Sequence, residues 1–121
     1  MKSRLLEIPN HPHTIECVVH ETLEDMWAAI DRGNNFDGYY QSLFEDGERP
    51  PVMGRIHLVR GHYGAGVVAH EMLHAVLDVG FVLYCELDNA GVLHVYDNEP
   101  LCDMIGHLTA QFWIWHYEME E

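Results

Sequence analysis

The chain has 121 residues, 48% of them hydrophobic, and a formal net charge of −14. That apolar content, with three Trp, six Tyr and four Phe, excludes a disordered chain and suffices for the core of one domain, 1–121, without disulfide staples. Six Lys plus Arg against twenty Asp plus Glu argue against nucleic acid and against an anionic membrane surface as partners, and leave a solvated surface or a basic protein partner.

Cys17, Cys85 and Cys102 are odd in number, far apart and form no C-x-x-C pair, so a reducing compartment is expected. Met1 to Pro9 lacks the apolar run of a signal peptide, and no stretch reaches the roughly 20 apolar residues of a membrane span, so the expectation is a cytoplasmic protein.

In chain order, Thr14 to Val19 alternates Ile15, Cys17 and Val19 with polar residues, the pattern of a strand with one buried face. Thr22 then offers a hydroxyl cap, Glu24 and Asp25 suit a first helical turn, and Leu23, Met26, Trp27 and Ile30 recur at helical spacing until Gly33. Asn34 to Pro51 reads as a loop or lid with a turn of helix around Tyr39 to Phe44. Met53 to Arg60 alternates again, with Ile56 and Leu58 on one face, and predicts a second strand. Gly61 to Gly66 turns the chain into a helix that Gly80 terminates. Phe81 to Tyr96 fits a hairpin around Asp88-Asn89-Ala90-Gly91, and a last helix runs from Pro100 toward Tyr117, with Glu118 to Glu121 fraying. The whole predicts an α+β fold: a small antiparallel or mixed sheet packed against the Gly66–Asp78 helix and a C-terminal helix.

The chemistry lies in His70-Glu71-Met72-Leu73-His74, an H-E-x-x-H sequence. Ten histidines and twelve glutamates would produce roughly 0.08 such matches by chance. Placed on a helix, His70, Glu71, His74 and Asp78 share one narrow stripe, Val68, Ala69, Met72, Ala75, Val76 and Val79 lie opposite, and Leu73 and Leu77 flank the stripe. Two imidazoles one turn apart can share a zinc ion, and the glutamate between them can reach the water that zinc activates. The competing reading is a core helix whose histidines hydrogen-bond to their neighbours.

A hydrolytic zinc site needs a third protein ligand and an open position. Glu99, Asp103 and His107, at i, i+4 and i+8, form one stripe on the last helix and are the candidates. Glu99 is favoured, with Asp103 then suited to accept the other ring N–H of a liganding histidine; if Glu99 only caps the helix beside Pro100, His107 or Asp103 takes its place. Zinc would polarise a substrate carbonyl and acidify water, and Glu71 would act as general base, passing the proton to the leaving amine. Donors for the developing oxyanion are sought among His62, Tyr63, His107, His116 and Tyr117. His11, His13 and His20 cluster near the N-terminus, where Asn10 to His13 reads as an exposed turn, and they are assigned nothing. Phe112, Trp113, Trp115 and Tyr117 read as ordinary packing for a C-terminal helix.

At His70 to Asp78, and at Asn98, Glu99 and Asp103, the chain resembles zincin-type metallopeptidases of the gluzincin kind, which pair H-E-x-x-H with a downstream N-E-x-x-x-D. Its length and element order are similar to small ImmA/IrrE-like and phage- or prophage-encoded zinc peptidases. The resemblance covers about forty residues, His62 to His107, and implies ligands His70, His74 and Glu99 with Glu71 as base. It also implies a protein or peptide substrate lying extended beside an edge strand, a place that Met53 to Arg60 occupies, and a protein partner that completes a cleft otherwise lacking a second subdomain. The alternative function is a non-catalytic acidic binding or inhibitor protein that keeps a zincin-like fold.

Overall fold

The computed structural model describes residues 1–31, 37–87, 93–94 and 98–120. Its fold is α+β: a four-stranded mixed sheet with helices on both faces. The strands are β1 (Lys2–Glu7), β2 (Thr14–His20), β3 (Gly38–Ser42) and β4 (Val52–Val59), in the order β1-β2-β4-β3. β2 and β4 pair in parallel at the centre, and β1 and β3 are antiparallel edges.

Alternation builds the main core. Ile15, Cys17 and Val19 of β2 lie beside Ile56 and Leu58 of β4 on one face, with Leu6 from β1. The helices α2 (Ala65–Ala75) and α4 (Glu99–Glu120) cover that face with Val68, Met72 and Ala75 and with Met104, Leu108, Phe112 and Trp115. The other face of β2 is buried too, at Val18 and His20, because α1 (Leu23–Ile30) packs there through Met26. The Thr22 hydroxyl caps α1 as expected, accepting from the Asp25 amide at 3.1 Å.

The structure corrects several expectations. β1 had no strand signal in the sequence, and Tyr39 to Ser42 is strand rather than helix, since pairing with β4 outweighs the local glycine and asparagine content. β4 is therefore an interior strand, and β3 is the edge beside α2. Gly80 does not end the motif helix: the chain passes through a π-helical turn, Val76–Gly80, into α3 (Phe81–Tyr84). Without a Cβ, Gly80 lets α4 approach; a methyl there would stand 2.8 Å from Leu101 Cδ2. The continuous helix Ala65–Tyr84 thus reaches 20 residues and, against expectation, is long and apolar enough by length and composition to cross a membrane. Here its residues Val68, Met72, Ala75, Val76 and Val79 are part of the core.

Of the hairpin expected over Phe81 to Tyr96, β5 (Glu86–Leu87) pairs with β6 (Leu93–His94), but Phe81–Tyr84 is helical, and the turn, Asp88 to Gly91, lies outside the described residues. Helix α1 ends at Ile30, where Asp31 takes the left-handed conformation (φ 50°), ahead of the expected Gly33, which lies outside the described residues. α4 continues to Glu120 rather than fraying, with Glu118 paired to Arg4 at 3.1 Å and Glu120 to Arg60 at 3.7 Å. Phe112 and Trp115 are core residues, whereas Tyr117 is exposed.

Candidate metal centre

Helix α2 carries His70, Glu71 and His74, and their ligating atoms all lie within 4.8 Å of one another. The two Nε2 atoms are 3.2 Å apart. Two nitrogens bound tetrahedrally to one zinc at about 2.0–2.1 Å stand roughly 3.3–3.4 Å from each other, so the rings already hold the separation a shared ion requires. The same separation allows one ring N–H to donate to the other ring. Both imidazoles are exposed, at the mouth of a cleft of about 470 Å³.

Glu71 differs from its neighbours. It is buried, its Oε1 lies 3.8 Å from His70 Nε2, and its Oε2 is buried without a hydrogen-bond partner. Burial pushes its carboxyl above the usual carboxylate range, an effect opposed by His74 and His70. An orphaned buried acceptor is costly, and a carboxylate that leaves one oxygen unpartnered while the other lies toward His70 suits a site that takes up a cation and water. The donor set, two imidazoles and a carboxylate, fits a borderline metal such as zinc.

The edge strand makes the wall over this carboxylate. Asp37, Gly38, Tyr39 and Tyr40 line the cleft opposite Gly66, Val67, His70, Glu71 and His74. At Gly38 a Cβ would stand 3.1 Å from Val67 Cγ1 and 3.2 Å from Glu71 Cγ, so glycine permits the strand to lie directly on the helix. Tyr40 donates its hydroxyl to Asp78 Oδ2 at 2.6 Å, and its ring is nearly parallel to that of His74, at 5°, with centroids 6.4 Å apart. Burial and the Asp78 carboxylate raise the Tyr40 phenol, which keeps its proton.

The structure brings together His70, Glu71, His74 and Asp78 on one side of the motif helix, as the stripe predicts. Among the described residues, the cluster of ligating side chains does not include Glu99, which stands exposed at the start of α4. Asp103 is exposed and near enough to Tyr84 to raise its phenol after burial; Tyr84 itself donates to the Pro9 carbonyl. His107 lines a different cavity, with His11 and His13. None of His62, Tyr63, His107, His116 and Tyr117 lines the cleft, and the Tyr63 hydroxyl is 2.7 Å from His116 Nδ1.

His20 does not join His11 and His13. It is buried with His57, its Nε2 2.9 Å from His57 Nδ1, and His57 Nε2 lies 3.2 Å from Gln41 Oε1. With Gln41 presenting its carbonyl, His57 donates from Nε2 and accepts at Nδ1, which makes His20 the donor at Nε2. That arrangement makes His57 neutral, and burial lowers the pKa of both rings.

Sequence reasoning missed Asp37, Gly38 and Tyr40, because their segment reads as a loop. The adjacent aromatics Tyr39 and Tyr40 were its one strand signal. Comparison of the chain with protein families, with curated proteins and with solved structures returned no match.

Proposed function

We propose that the chain is a small zinc-dependent metallopeptidase that hydrolyses a peptide bond in a protein or peptide. The observation that carries this reading is the 3.2 Å separation of the His70 and His74 Nε2 atoms beside the buried, unpartnered Glu71 carboxylate. His70 and His74 would hold the ion, and the resemblance to gluzincins adds Glu99 as third ligand. A second assignment of the third ligand has an observation in its favour: among the described residues, Asp37 is, besides Glu71, the acidic residue that lines the cleft.

Zinc bound there supplies Lewis acidity toward water and a substrate carbonyl. The chain's own residues do the rest. Glu71 takes a proton from water at its carboxylate and delivers it to the departing amine; desolvation makes it a stronger base than an exposed glutamate. β3, an edge strand beside the cleft, offers main-chain groups to which an extended peptide can add. On the flank of the stripe away from β3, Leu73 and Leu77 are about half exposed and give the substrate, or a partner that completes the cleft, an apolar surface.

The test is peptide hydrolysis and metal content of the full chain and of Glu71→Gln. Hydrolysis that disappears in the variant while zinc is retained supports the peptidase. Wild-type protein that binds no zinc overturns it.

A further inference from the structure

Tyr40 belongs to the sheet, and Asp78 and His74 belong to the helix, so the hydroxyl–carboxylate bond at 2.6 Å ties two elements together where the cleft opens. The sequence makes room for this tie. A Cβ at Gly54, on the neighbouring strand and paired with Ser42, would collide with the Tyr40 hydroxyl. Gly38, two residues before Tyr40, gives the strand its close seat on Val67 and Glu71. The bond is partly buried, which shields it from competing water. The Tyr40 ring then lies parallel to the His74 ring.

We propose that the Tyr40–Asp78 hydrogen bond is a clasp that holds edge strand β3 on the continuous helix Ala65–Tyr84 and fixes the ring plane of His74, making Tyr40 a positioning residue for the imidazole pair. The bond adds to the β3–β4 ladder in setting cleft width, and to the His70 contact in setting the His74 ring. Its effect on the protein's own structure stands without any metal; its consequence for zinc affinity rests on the function proposed above.

The experiment uses the full chain as wild type, Tyr40→Phe, which removes only the hydroxyl, and Asp78→Ala, which removes the acceptor. In the metal-free protein, both variants should exchange the amides of Gly38–Ser42 about tenfold faster. They should also shift the His74 ring resonances while those of His62 stay in place. Cobalt(II), used as a coloured probe for the zinc position, should bind about tenfold more weakly to both, with altered visible absorption. Exchange rates and His74 resonances like those of the wild type in both variants overturn the clasp, as does weaker cobalt binding with unmoved His74 resonances. If wild-type protein binds neither cobalt nor zinc but the exchange and ring effects appear, the clasp stands and the peptidase reading falls.

Discussion

His70 and His74 present their Nε2 atoms to each other across 3.2 Å, one helical turn apart. Removing either ring leaves a single imidazole beside a carboxylate, too few ligands for tight zinc binding. His70→Ala and His74→Ala should each weaken zinc by about 100-fold or more, measured by competition with a chromophoric chelator. Glu99→Gln and Asp37→Asn in the same assay distinguish the third ligand: the variant that weakens zinc identifies it.

Glu71→Gln should separate chemistry from stability. The amide cannot serve as general base, so hydrolysis should be lost. In metal-free protein the substitution removes a buried carboxylate whose Oε2 has no partner, and stability at neutral pH should rise by about 1 kcal/mol. The sign follows from the raised carboxyl: its stabilising influence is present below the pKa of the unfolded chain and is lost as pH rises. Denaturant unfolding in a chelator checks it. An unchanged biological function in this variant would instead favour an acidic binding protein.

The buried histidine pair predicts acid sensitivity. Burial, then His20 and Arg55, lowers His57 to about 4, whereas the unfolded chain titrates near 6.5. Above 6.5 neither state binds the proton; below it the unfolded state does so first, and stability falls between about 6.5 and 4 by on the order of 2–3 kcal/mol. His57→Gln should flatten that slope in urea melts recorded across the range. Retention of the full slope in the variant would rule out His57 as its source.

Close seating of the edge strand predicts intolerance at two small residues. Gly54→Ala drives a methyl into the Tyr40 hydroxyl, and Gly38→Ala meets Val67 and Glu71. Each should cost about 1–3 kcal/mol by thermal or denaturant unfolding. A neutral effect at Gly54 would mean that Tyr40 leaves Asp78 without penalty.

The sequence was most legible where a period is strict. Ile15, Cys17 and Val19 declared β2, Ile56 and Leu58 declared β4, and the H-E-x-x-H stripe placed the imidazoles correctly. It was least legible where tertiary pairing overrides local preference. Lys2–Glu7 is a polar, mostly exposed edge strand with little alternation, and Gly38–Ser42 is flanked by loop-forming residues. Gly80 carried a stop signal by composition, but its missing side chain serves the approach of Leu101 instead. Asp103 and His107 share a helical stripe with Glu99, yet a stripe fixes only relative direction; the docking of α4 turns His107 toward the N-terminal turn.

The π-helical turn at Val76–Gly80 has a consequence for how this chain tolerates length changes. A turn of that kind holds one residue more than an α-helical turn, so the residue count shifts by one across it while the helix keeps its direction. Deleting a single residue there would restore regular winding and leave Phe81–Tyr84 facing much as before, since the wide turn sweeps about the angle of four α-helical residues. The extra residue is thus absorbed within the turn, and Gly80 keeps the bare face it offers to Leu101 of α4.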